Sequence, residues 1–321
     1  MPGDFYVQPD APDPVLSDDI VLSLVRRHVQ DAHVVTEVDE SGGEARTYQV
    51  DHALILKTQR PQQLRPRTSL EKEVVFLRQL AAEAPDLSVP RIFGYGRERL
   101  TDGPWDGALI EYTVMSRMPG IALRHTTLDE AARRAVLTQL GETLRRLHEL
   151  PQAPFVASEL FPGDHTFVDV QTRFGRYFGD LADAVRYEHL PWALELTPEQ
   201  LGARALAALP RTRERVALHS NPYLEHVFVD PATAVYSGLI DFGDAFISHP
   251  ACDLRRWTRP ADREVLLHGY TANGPVGDDF LATWLVLRIV TDAMVMAYYA
   301  EQAPERAAEA TQDLRQALAE L

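Results

Sequence analysis

The feature that most narrows the fold is a change of hydrophobic period about a third of the way along the chain. Before it, short β-forming runs dominate: Val34-Val35, Tyr48-Gln49-Val50, Leu54-Ile55-Leu56, Ile92–Tyr95 and Leu109–Met115. Ser41-Gly42-Gly43 supplies a turn between the first two, and Pro90 punctuates the chain before the fourth. Two helical patterns accompany them. One is a short amphipathic stretch, Asp18–Arg27, with Ser17 placed to cap it. The other is Leu70 to Ala82, with Val74, Leu77 and Leu80-Ala81 on one face. Beyond Pro119-Gly120 the pattern turns helical, over Leu128–Leu150, Val168–Glu188, Pro198–Leu209 and the late helices. One β-hairpin interrupts it, Val227–Asp230 and Tyr236–Asp241. Strands kept apart from helices predict an α+β fold in two lobes. The expected division is a small β-rich lobe over 1–118 and a larger, mainly helical lobe over 119–321, joined near Ser116–Gly120.

At 321 residues the chain can bury two substantial cores. Its formal net charge of −15 argues against a nucleic-acid partner, because a phosphate backbone repels such a surface, and favours a cationic small molecule. The one cysteine, Cys252, excludes an intramolecular disulfide framework and a cysteine-built zinc site. Met1 to Val7 has no basic segment followed by an apolar run, so no secretory leader is expected. Phe280 to Ala300 is apolar and long enough to cross a bilayer, but Arg288 and Asp292 lie in its middle at i,i+4. Charges there are costly in lipid, so a buried helix of a cytoplasmic protein without a membrane partner is expected.

The chemistry concentrates in LHSNPYLEHVFVDPATAVYSGLIDFGDAFISHPACDL, from Leu218 to Leu254. Asp241 ends an apolar strand and meets Phe242-Gly243, a turn from which a carboxylate can project. His219-Ser220-Asn221 precedes the other strand, so the hairpin gathers both loops. Polar groups at adjacent strand ends suit a metal or a phosphate; equally, Asp-Phe-Gly can be no more than a turn. The segment resembles the catalytic and metal loops of the aminoglycoside phosphotransferase and choline kinase superfamily, which has the protein-kinase architecture. Members carry a His-Gly-Asp-Leu-His-Pro-x-Asn loop, a hairpin, then Ile-Asp-Phe or Ile-Asp-Trp. Here His219 matches the first histidine and Asn221 stands at the catalytic aspartate, which makes both catalytic candidates; His226 stands at the metal-binding asparagine and Asp241 at the metal-binding aspartate. Asp244, Pro250 and Asp253 resemble the continuation that follows, which gives Asp253 the part of bracing the catalytic loop.

The resemblance extends towards the N-terminus. Gly42-Gly43 resembles the nucleotide-covering turn, and Leu54-Ile55-Leu56-Lys57 the strand ending in the phosphate-binding lysine. Glu73 is the expected partner of Lys57, with Glu71 as the fallback; read without this context, Lys57 is a strand-end surface residue. Met115 to Gly120 resembles the hinge that meets the purine, through Ser116 and Met118. Leu144 to His148 resembles the helix end before the catalytic loop, with His148 as a packing residue. The resemblance implies a nucleoside triphosphate donor, ATP or GTP, with Mg²⁺ or Mn²⁺, and a hydroxylated small-molecule acceptor such as an antibiotic.

Two positions depart from the pattern. An amide at 221 cannot accept the substrate's proton, although its oxygen can orient the hydroxyl. General-base help is worth about 10²–10⁴ in rate, but phosphoryl transfer rests mainly on positioning and charge, so an impaired enzyme is expected. Imidazole at 226 suits Mg²⁺ less well than an amide oxygen and Mn²⁺ better. Macrolide kinases of this superfamily, with a His-Gly-Asp-Leu-x-x-Gly-His loop, resemble the chain here. The segment Phe161–Glu199, where the superfamily places its acceptor helices, interleaves acids with aromatics, suiting a polyamine or an amphiphile, or merely a solvated helix face over a core. Two other readings stay open: a nucleotide-binding pseudokinase, supported by Asn221, and a metabolite kinase of the choline, homoserine or sugar type.

Overall fold

A computed structural model of the chain describes residues 13–63, 69–101 and 106–321. The leader reading of Met1 to Val7 therefore lies outside the described residues. Helix α1 (Asp18–Arg26) leads into strands β1 (Val35–Asp39), β2 (Ala45–Val50) and β3 (Leu54–Gln59). Helix α2 (Leu70–Glu83) follows, then β4 (Ile92–Arg99), β5 (Leu109–Ser116) and the two-residue β6 (Ile121–Ala122). The helical half contains α3 (Glu130–His148), α4 (Ala153–Ala157), α5 (Phe167–Tyr187) and α6 (Pro198–Ala207). Next come β7 (Val216–Leu218), β8 (Val227–Val229), β9 (Tyr236–Leu239) and β10 (Phe246–Ser248), then α7 (Pro260–Thr271), α8 (Asp278–Tyr299) and α9 (Pro304–Glu320).

Five strands form one antiparallel sheet in the order β1-β2-β3-β5-β4. Strand β2 alternates buried with half-buried residues, as a strand facing a core on one side must. Tyr48, Val50, Leu56, Tyr112 and Val114 pack there under α1. Helix α2 behaves differently. Its Phe76, Leu77 and Leu80 join the larger core made by the later helices, where Phe76 meets Phe155 at 4.9 Å and Phe242 at 5.0 Å between ring centroids. The helix thus ties the sheet to the helical half. This is the α+β arrangement of sheet followed by helices that the change of period predicts.

The strand signals were readable wherever runs were long, and silent where they were short. Strands β7 and β10 have three residues each and pair antiparallel, Leu218 with Phe246 and Val216 with Ser248. No periodicity can be read over such lengths, yet this pair holds the polar loops in place. Strand β6 adds to the hairpin β8-β9 as a third strand. Helix α8 is long and apolar enough to cross a membrane, but 72% of its apolar window is buried inside the fold. Arg288 and Asp292 do not pair with each other. Asp292 meets Arg263 of α7 at 2.6 Å, Arg288 meets Asp313 of α9 at 3.0 Å, and Asp313 also meets Arg263 at 2.9 Å. The two mid-helix charges thus serve interhelical contacts.

Candidate active site

Lys57 reaches the site from β3 and Glu73 from the first turns of α2. Their contact, Nζ to Oε2, is 2.9 Å, and the Glu73 side chain is 1% exposed. The other Glu73 oxygen accepts a hydrogen bond from the Phe242 amide at 3.2 Å, so one carboxylate ties the lysine to the turn after β9. On the same ammonium, Asp241 Oδ1 lies at 2.8 Å. The sheet lysine and the hairpin aspartate, 184 residues apart, therefore converge on one cleft. The fallback partner is settled too: Glu71 pairs with Arg97 at 3.0 Å, leaving Lys57 to Glu73.

Burial pulls the Lys57 ammonium down, but Asp241 and Glu73 outweigh it and hold the group above the ordinary lysine range. Burial pushes Asp241 up, and Lys57 beside it overcomes that push, so its carboxylate stays well below the usual range and ionised. Glu73 is shifted the other way: burial pushes its carboxyl up, against the pull of Lys57. A triphosphate added here needs cations with it.

Asp241 projects into the cleft because its backbone is left-handed, φ +68, an uncommon state for a residue with a side chain. Its second oxygen faces His226 Nε2 at 3.3 Å. The other ring nitrogen of His226 donates to the Asn221 carbonyl at 2.8 Å. In the neutral ring Nε2 then carries a lone pair opposite a carboxylate oxygen, a pair of acceptors that suits a cation between them. A ligating imidazole whose second nitrogen is held by a carbonyl is a common metal-site arrangement. The described residues contain no cluster of three or more His, Cys, Asp or Glu side chains able to hold a metal alone. Mg²⁺ commonly takes one or two protein ligands and completes its shell with water and phosphate oxygens, so the Asp241–His226 pair fits such an ion.

His219 stands behind this surface, wholly buried. Its Nε2 donates to the Ile240 carbonyl at 2.8 Å, and its Nδ1 accepts from the Asn221 amide at 3.2 Å. Burial draws the imidazole down to about 4, so it is neutral at pH 7. With both nitrogens engaged, His219 braces the backbone of the loop from behind. Asp253, in the short 3₁₀ turn Pro250–Leu254, accepts from the His219 amide at 2.8 Å and the Ser220 amide at 2.7 Å. This allows Ser220 its own left-handed backbone, φ +79. His148 contacts Asp253 at 3.0 Å and the Tyr270 hydroxyl at 2.9 Å. It is a buried packing residue, as its helix-end position implied, with a hydrogen-bonding duty that the sequence did not show.

At the hinge, Ser116 ends β5 beside Leu54. Its amide donates to Arg91 and its hydroxyl accepts from the Arg91 amide, at 2.8 and 2.9 Å, while the Arg117 amide donates to Ala53. The Ser116 side chain is thus spent on holding the linker. Met118 is buried, and a Cβ built on Gly238 would stand 2.1 Å from its methyl. Gly43 lies in the turn between β1 and β2, with open space where a Cβ would be. Among the acceptor-segment residues, Asp164 is buried against Arg173, Asp169 closes a capping box on α5, and Phe174 and Phe178 are core. Asp183, Tyr187 and Glu188 are exposed on the same helix.

A model of the phosphotransferase enzyme family matches residues 35–288. The chain belongs to this family. Solved structures share its fold. The macrolide 2′-phosphotransferase MphH from Brachybacterium faecium, an apoenzyme, is 20% identical at a TM-score of 0.55, over 92% of this chain and 97% of that one. Macrolide 2′-phosphotransferase type I is 20% identical at 0.55, covering 94% and 99%. The GDP complex of aminoglycoside 2′-phosphotransferase-IIIa is 14% identical at 0.58, covering 95% and 99%. The kinase-like α+β fold and the enzyme class expected from the loops, a phosphotransferase, therefore stand.

Proposed function

We propose that this phosphotransferase moves the γ-phosphate of ATP or GTP onto a hydroxyl of an antibiotic, an aminoglycoside or a macrolide, in the cytoplasm. The observation that carries the reading is the convergence of Lys57, Glu73 and Asp241 within 2.9 Å contacts at one cleft. Lys57 would hold the α- and β-phosphates, oriented by Glu73; Asp241 and His226 would hold Mg²⁺ or Mn²⁺. When bound, that ion supplies positive charge to the phosphate oxygens. Gly43 would lie over the phosphates, and Ser116 and Met118 would border the purine through the hinge backbone. The lobes would meet near residues 118 and 119.

Asn221 faces the acceptor in this arrangement. Its carbonyl fixes the His226 ring and its amide donates to His219, so its backbone orders the loop whatever its side chain does. The side-chain oxygen can orient a hydroxyl but takes no proton. Transfer would then proceed through positioning alone, slower than with a carboxylate by about 10²–10⁴. Net charge of −15 favours a cationic acceptor over a neutral one.

The test is nucleotide consumption by the purified protein against panels of aminoglycosides and macrolides, beside Asn221→Asp. Turnover with a drug, raised by about 10² or more in the variant, is the expected result. Silence of both forms on every drug would sink the antibiotic assignment. The amide at 221 favours one second reading, a pseudokinase that binds nucleotide as a switch. Tight nucleotide binding with no turnover in either form would select it.

A further inference from the structure

We infer that the end of β7 remote from the catalytic loop carries a second site, which binds the phosphate group of a small anionic molecule through Arg211, Arg213 and Arg215. These residues alternate along the irregular segment leading into β7. All three line a concavity of about 460 Å³, closed on the other side by His165, Thr166 and Phe167 at the start of α5. This inference does not rest on the substrate proposed above.

Two of the arginines are oriented, and none of the three is neutralised. Arg215 donates to two backbone carbonyls, Nε to Asp164 at 2.8 Å and Nη1 to Glu214 at 2.5 Å. Arg211 lies over the Phe167 ring, 5.5 Å from its centroid. Among the described residues none of the three has a carboxylate partner, whereas Arg133, Arg173, Arg263 and Arg288 are all ion-paired. The nearby acids are otherwise engaged. Asp164 is held by Arg173 at 2.5 Å and by the Ser248 hydroxyl at 2.5 Å. Asp169 accepts from the Thr166 amide and hydroxyl, and Glu214 turns towards His249 at 3.8 Å. A protein with 47 acidic and 32 basic residues has thus left three guanidinium groups together on one wall.

Guanidinium forks match tetrahedral phosphate oxygens bidentately, and a doubly charged phosphate uses several of them better than a carboxylate does. The cavity is roomier than a bare phosphate needs, which suits a phosphate carried on a small organic body. Arg215 adjoins Val216 at one end of β7, and His219 follows Leu218 at the other. Roughly 13 Å of extended chain separates the two, so this is not the cleft of Lys57.

Calorimetry with inorganic phosphate and with glycerol phosphate tests the inference on three proteins: wild type, Lys57→Ala, and the double variant Arg211→Ala with Arg213→Ala. Binding to wild type and Lys57→Ala, weakened at least tenfold in the double variant with unchanged Tm, is expected. Tighter binding of glycerol phosphate would identify an organic phosphate as the ligand; equal binding would identify the free anion. Either supports the site. No binding of either anion at millimolar concentration, binding kept by the double variant, or binding lost in Lys57→Ala alone would overturn it.

Discussion

Two aspartates show how this chain separates a working charge from a structural one. Asp241 and Asp292 each touch a cation, at 2.8 Å and 2.6 Å. Asp241 sits on a strained turn, 39% exposed, with Lys57 on one oxygen and His226 opposite the other. Asp292 lies inside α8 with no exposed surface, and its Oδ2 has no hydrogen-bond partner. Their acidities diverge accordingly. Lys57 overcomes the desolvation of Asp241 and keeps it ionised, whereas burial, helped by Asp313, pushes Asp292 up to about 8 despite Arg263. A carboxylate that must bind an arriving cation is kept charged and accessible at the mouth of a cleft. One that joins helices is shielded and shares its environment with a second acid.

The sharpest way to break this comparison is to make the same change at both places. Asp241→Asn should lower turnover by about 10³, because the site loses its charged anchor. Asp292→Asn should leave turnover within about twofold, because nothing reacting touches it. Equal losses in the two variants, by steady-state kinetics, would show that Asp241 is only another structural acid. Next in size is the lysine. Lys57→Ala removes the one ammonium between Glu73 and Asp241, and should weaken Mg-nucleotide binding about tenfold or more by calorimetry. Unchanged affinity would place the nucleotide elsewhere.

How much of this was legible follows from the same contrast. Lys57 lies within a strand of strong pattern, Glu73 in the first turn of a helix and Asp241 just after a strand, so their positions could be read from strand and helix signals. The Asp253 brace was readable from its loop resemblance. What escaped was fixed by tertiary geometry. The sequence places His219 in its loop, but only the packed loop shows both its nitrogens hydrogen-bonded to the backbone. Strands β7 and β10 are too short for any period, although they set the spacing of both polar loops. The Arg288–Asp292 spacing suggested shared faces on one helix, and the partners turned out to be α7 and α9. Arg211, Arg213 and Arg215 alternate as strand residues do, a signal available in the sequence but masked by the acidity of the chain.

The last prediction concerns pH, and it separates the two aspartates by sign. A carboxyl raised in the folded state binds a proton that the unfolded chain has already lost. Stability from Asp292 is therefore complete below pH 4 and fades as pH climbs through about 8. The slope is at most about 1.4 kcal/mol per pH unit for a single group. Asp241 is shifted the other way, so its contribution is complete above the ordinary aspartate range and is lost on acidification below it. Urea titrations between pH 4 and 8 should show Asp292→Asn with a flatter decline in stability than wild type, since an amide carries no titrating proton. Asp241→Asn should leave that window unchanged and differ from wild type only in stronger acid. A decline that persists in Asp292→Asn would mean that Arg263 holds this carboxylate ionised, and that both aspartates obey the same local electrostatics.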